Sequence, residues 1–181
     1  MPRPPQAALL LLEELAVSDR RHLAGRSLAA HLTATFEILA DWGAPQEVML
    51  AGLFHSVYGT EAFDHPSLPP DGHSRLRVRS AIGAAAERLA YMFCALEREA
   101  FLADPTGRRL ANRFDGTALT FRAGDLAAIC EIFMANEIDL AIAKKGGDPK
   151  RVAAKAQPIV ELLLPHLPER SRQVWRRYAE L

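Results

Sequence analysis

Two histidines, His31 and His55, stand 24 residues apart inside otherwise apolar text, HLTATFEIL and AGLFHSVYGTEAF. Imidazole titrates near neutrality, so a buried histidine pair is suited to giving and taking protons, and its nitrogens also ligate metals. Ser56, Tyr58 and Glu61 follow His55 closely. Tyr58 and Glu61 are expected past a helix end, at a pocket mouth. A nucleophilic Ser56 would need His31 or His55 within hydrogen-bond reach, and neighbouring side chains on a helix diverge. A second polar group, Glu131, Asn136, Glu137 and Asp139, interrupts the apolar run ICEIFMANEIDLAI. A buried amide needs hydrogen-bond partners, so Asn136 is expected either to line a pocket or to tie down backbone. Helical spacing allows only some of this group to share its face.

The elements that must position these residues are helices. Leu9 to Leu15 open the first. Ser27 is a good N-cap for a helix running to Trp42, stopped by Gly43, with Leu28, Leu32, Thr35, Phe36 and Leu39 on one stripe beside His31. Pro45 suits the first turn of VMLAGLFHSVY, residues 48–58, apolar nearly all round and therefore central. DHPSLPPDGHS, residues 64–74, reads as a loop. Residues 75–99 form two helices bent near Gly83, with Arg75, Arg77 and Arg79 on a solvated face. Asp115-Gly116 between short alternating runs signals a small hairpin over 108–121. A long helix from about Gly124 to Lys145 ends at Gly146 and Gly147, and Asp148-Pro149 begins the next. Pro165 and Pro168 precede a last helix, SRQVWRRYAEL. The fold class is all-α, one domain over residues 1–181, with the helices of 149–181 packed on the rest.

Composition narrows the function. Twenty-two Lys and Arg offset 22 Asp and Glu, so no net field favours nucleic acid or an anionic membrane. Uninterrupted apolar runs fall short of a membrane span, and Glu13 and Glu14 break the apolar start that might resemble a secretion signal. Cys94 and Cys130 lack metal or redox spacing and read as reduced core thiols of a cytoplasmic protein.

RHLAGRSLAAHL, GLFHS, AIGAAAERLAYMF and FMANEIDL, in that order, resemble the HD superfamily of helical metal-dependent phosphohydrolases. The closest likeness is to the hydrolase domain of Rel/SpoT-type alarmone enzymes, over about residues 20–140. Gly25 precedes His31 as a glycine loop precedes the family's first ligand histidine, and GLFHS stands in place of its LLHD motif. The resemblance implies an HD-like helical bundle with His31 and His55 as inherited metal ligands. Yet the metal-binding aspartate after the second histidine is Ser56, the acidic pair that follows falls on Gly59 and Thr60, and the last aspartate falls on Asn136. A hard divalent ion such as Mn or Fe is held and balanced largely by anionic oxygen, so no metal cofactor is expected, and alarmone hydrolysis is disfavoured.

The expectation is a small-molecule enzyme on a degenerate HD-type scaffold, in which histidine acid/base chemistry replaces the metal centre. Its catalytic candidates are His31, His55, Tyr58 and Glu61, and its ligand-binding candidates Ser56, Asn136, Glu131 and Asp139. Two alternatives stay open. One is a non-catalytic ligand-binding or regulatory module. The other is an HD-type hydrolase or oxygenase holding metal on His31 and His55 with substitutes such as Glu61, Glu131, Asp139, His65 or His73, although the last two sit in a polar loop and are expected in solvent. The partner is a small molecule; oligomeric state is left open.

Overall fold

The computed structural model describes residues 2–15, 26–106, 110–145 and 148–179, with the side chains of Tyr178 and Ala179 left aside. Nine α-helices lie among them: α1 Gln6–Glu14, α2 Leu28–Asp41, α3 Gln46–Leu53, α4 Gly72–Ile82, α5 Ala84–Ala95, α6 Arg98–Ala103, α7 Asp125–Lys145, α8 Pro149–Leu163 and α9 Glu169–Ala179. The chain is therefore all-α. Among the described residues no helix is long and apolar enough to cross a membrane. Gly25, Gly146 and Gly147 lie outside the described residues.

Local chemistry sets the boundaries. Ser27 caps α2 by accepting from the Ala30 amide, Asp71 caps α4 through the Ser74 amide, and Asp148 caps α8 with Pro149 in the first turn. Gly83 adopts φ +88 between α4 and α5, a left-handed conformation that glycine enters without strain. α7 is buried around most of its circumference and packs against α2, α3, α5 and α8, so it forms the axis of the bundle.

Three expectations are corrected. The helix expected over 48–58 stops at Leu53, and residues 54–58 are turns. The His55 ring donates to the Gly52 carbonyl, the acceptor that the next helical amide would have used. The hairpin over 108–121 shrinks to one bridge, Ala111 with Ala118, around Gly116 at φ +73; Arg108 and Arg109 lie outside the described residues. Arg75 and Arg79 do not form a purely solvated face, since both reach the wholly buried Glu87, while Arg77 pairs with Glu14.

Gly52 fixes the approach of α3 to α2. A β-carbon there would meet Leu39 Cδ1 at 2.4 Å, and Leu39 is itself fully buried. That close crossing brings the end of α3, and hence His55, against His31.

Candidate active site

His31 points inward from α2 and His55 from the turn after α3, each 2% exposed. His31 Nδ1 lies 2.6 Å from Asp139 Oδ2 on α7. Arg26 Nη1 donates to the other oxygen, Oδ1, at 2.8 Å. Burial works against the charge on Asp139, but the hydrogen bonds from His31 and Arg26 outweigh it and hold the carboxyl below its usual range. An ionised carboxylate only accepts, so His31 Nδ1 carries a proton. His55 Nδ1 lies 2.7 Å from the Gly52 carbonyl, which also only accepts, so that nitrogen is protonated too.

Each ring is left with Nε2, and the two Nε2 atoms stand 3.1 Å apart. Two neutral rings would oppose lone pairs at that distance. A proton placed between them would make the contact an N–H···N hydrogen bond. The rings meet edge to face at 79°. His55 is held further by Phe93, edge to face at 5.1 Å, and by the Cys94 thiol, which donates to its backbone carbonyl at 3.1 Å. Burial pushes that thiol up to about 12, so Cys94 works as a donor and packing group, not as a thiolate.

The histidine pair lines a cavity of about 290 Å³. Ser56, Asn136 and Glu61 line it as well, joined by Phe93 and Phe133 as an aromatic wall with ring centroids 4.5 Å apart. The Ser56 hydroxyl is buried and has no hydrogen-bond partner among the described residues. Asn136 donates from its amide nitrogen to Glu137 at 3.2 Å, which leaves its carbonyl end for the cavity. Glu61 sits at the exposed rim, where its carboxylate accepts from the Arg98 backbone amide; the Arg98 side chain in turn pairs with Glu137 at 2.7 Å.

Other candidates fall elsewhere. Tyr58 is buried, not at a pocket mouth; its hydroxyl donates to Glu87 at 3.2 Å, and burial followed by the charge of Glu87 pushes the phenol well above its usual range. Glu131 is turned away from the cavity and is bound by Ser171 and Arg170 of α9. Asp139 stands behind His31 instead of lining the cavity. His65 and His73 are exposed and line no part of it. Phe93, Phe133, Arg98, Lys144 and Lys155 were not singled out in the sequence. The α7 members could have been found by extending the Asn136 face at helical spacing, through Phe133, Asn136, Leu140 and Lys144; nothing local marks Arg98 or Lys155.

The donor set does not suit a divalent metal. Among the described residues no group of three or more His, Cys, Asp or Glu side chains converges as ligands would. Among the described residues Asp139 is already engaged by His31 and Arg26, Glu137 is paired with Arg98, Glu61 accepts from the Arg98 amide at the rim, and the other polar groups beside the pair are a hydroxyl and an amide. Two imidazoles whose neighbouring carboxylates are engaged elsewhere leave the ion's charge unbalanced.

A family model described as a domain of unknown function (DUF6817) matches residues 11–98. That segment carries both histidines and Ser56 but not α7, which supplies Asp139, Asn136 and Phe133. No curated protein and no solved structure matches the chain.

Proposed function

We propose that the chain is a small-molecule enzyme whose Asp139–His31–His55 relay performs acid/base catalysis without a metal. The observation that carries this reading is the 3.1 Å contact between two Nε2 atoms whose partner nitrogens are both committed as donors. With a proton between the two rings the pair is a general acid. A substrate carbonyl oxygen that takes the place of one imidazole as acceptor receives that proton, and the vacated nitrogen takes one from the carbon beside the carbonyl, which gives the enol and restores the protonated pair. Asp139 holds His31 in the Nδ1–H tautomer and balances the positive charge while the proton resides on the pair. The Ser56 hydroxyl donates to and orients the substrate oxygen, and Phe93 and Phe133 keep water from the proton.

An HD-like ancestry is part of the proposal. It is supported by the side-by-side placement of two histidines from distant segments, with acidic α7 residues beside them. A cytoplasmic setting is supported by Cys94 and Cys130, both buried free thiols.

The test follows deuterium uptake from heavy water into small enolisable ketones by proton NMR. Wild-type protein is expected to accelerate exchange by about 10²-fold or more, the scale of a positioned acid or base, and folded His55→Gln to lose that acceleration. Ketones that bind without accelerated exchange would instead support a non-catalytic binding module.

A further inference from the structure

The cavity has two chemically different ends. At one stand the histidine pair, the unpartnered buried Ser56 hydroxyl and the Asn136 carbonyl. At the other stand Lys144, in the last turn of α7, and Lys155 of α8, both exposed at the rim. Between them the wall is apolar: Phe93, Phe133, Leu140 and Ile159. Of the remaining rim charges Arg98 and Glu137 cancel as a pair, while the Glu61 carboxylate, held by the neutral Arg98 amide, keeps its charge, so with the two lysines the lining carries one net positive charge. Neither lysine has an ion-pair or hydrogen-bond partner among the described residues. Lys144 also lies where the helix dipole is negative and so offsets it; Lys155, in the middle of α8, has no such local role.

From this polarity we infer that the site takes a small monocarboxylic acid bearing a second oxygen function, with the carboxylate at Lys144 and Lys155 and the far oxygen at His31, His55 and Ser56. The inference rests on the acid/base reading of the same cavity and adds the class of substrate. Three observations fix the class. Lys144 lies eight residues beyond Asn136 on the cavity face of α7, about 12 Å of helix rise that the lysine side chain shortens by reaching back along the helix, which sets a spacer of a few carbons. The cavity volume of about 290 Å³ is at the small end for ligand sites and suits a small acid. The rim is the C-terminal, negative end of α7, which opposes a dianionic phosphate but tolerates a single negative charge between two ammonium groups.

The experiment measures binding of 5-oxohexanoate by calorimetry, beside its neutral amide, its amine counterpart, a phosphate ester of the same length and hexanoate, to wild-type protein and to the Lys144→Gln/Lys155→Gln double variant. Both lysines are exposed, so the variant is expected to fold. The wild type should bind 5-oxohexanoate at least tenfold more tightly than either the amide or hexanoate. The double variant should lose most of the preference over the amide and keep its affinity for the amide. Equal binding of acid and amide, a preference that survives in the double variant, tighter binding of the amine or of a phosphate ester of the same length, or no binding at all would each overturn the assignment. The proton shared by His31 and His55, followed as a slowly exchanging imidazole N–H by nitrogen-edited NMR, reports separately on the underlying reading. Its absence from a wild type that still prefers the acid would overturn the relay and leave the ligand class standing. Its presence with no preference for the acid would do the reverse.

Discussion

Glu87 and Asp139 are both buried carboxylates set against arginine, and the two surroundings differ in what they do with the charge. Around Glu87 the partners are Arg75 at 2.7 Å, Arg79 at 3.4 Å and the Tyr58 hydroxyl, while the Arg75 guanidinium also stacks 3.6 Å over Tyr91. These contacts join α4 to α5 and the turn after α3, and they leave no acceptor facing the histidine cavity. Asp139 has one arginine, Arg26, and spends its other oxygen on His31, which passes the interaction to His55 and so to the cavity. The first cluster closes on itself and acts as a rivet. The second reaches the cavity that Ser56 also lines, and there the proposed acid/base chemistry would act.

The largest effect tests the rivet. Glu87→Ala leaves two arginines and a phenol without their common acceptor, and breaking a buried pair in this way costs about 3–5 kcal/mol. Urea denaturation should show that loss, while the folded fraction keeps the histidine cavity and its deuterium-exchange activity. A loss below about 1 kcal/mol would mean that the cluster is not structural.

Asp139→Asn should act mainly on chemistry. The amide can still accept from His31 but cannot balance a shared proton, so exchange is expected to fall by about 10²-fold or more, with a smaller stability loss than at Glu87. The stability–pH curve has a definite sign. Because the folded carboxyl is held below its ordinary range by His31 and Arg26, the unfolded chain takes up the proton first as pH falls. The stabilisation is complete above the ordinary carboxylate value of about 4 and disappears as pH drops through the lower folded value. Subtracting the variant's curve from the wild-type curve should therefore give a difference that is flat above about pH 5 and shrinks below about pH 4. A difference that grew on acidification would contradict the assigned ion pair.

The smallest effect separates stability from function at one atom. The Ser56 hydroxyl has no partner among the described residues, so Ser56→Ala should leave stability unchanged or raise it by up to about 1 kcal/mol. Affinity for a ligand whose oxygen meets that hydroxyl should fall by about fivefold. A clear loss of stability would show that the hydroxyl is bonded in solution and is not held ready for a ligand.

Most of the helical frame was legible from local chemistry. Ser27 as a cap, Gly83 as a break and Asp148-Pro149 as a start act within a few residues of themselves, so they can be read without knowing the fold. The end of α3 was not legible, because it depends on a side-chain bond from His55 to Gly52 that competes with the helix ladder. The weak hairpin signal at Asp115-Gly116 produced the turn but no strands, since only Ala111 and Ala118 pair as a bridge.

The sequence by itself determined that the chain is helical and that two histidines stand in apolar text, with Ser56 and Asn136 where the HD-type pattern it resembles has acids. Partner choice was decided only by tertiary structure. Glu131 and Asp139 look alike in the sequence, two acids on one apolar helix. Eight residues apart on α7 they lie on the same side of the helix but at different heights, and different elements meet them. α9 brings Ser171 and Arg170 to Glu131, and α2 brings His31 to Asp139. Likewise Tyr58 and Ser56 are two residues apart, yet the turn after α3 sends one to Glu87 and the other to the cavity. Propensities and caps are local and survive in the sequence. The identity of a buried group's partner depends on which distant helix crosses at that height, and that is fixed by packing such as the Gly52–Leu39 contact.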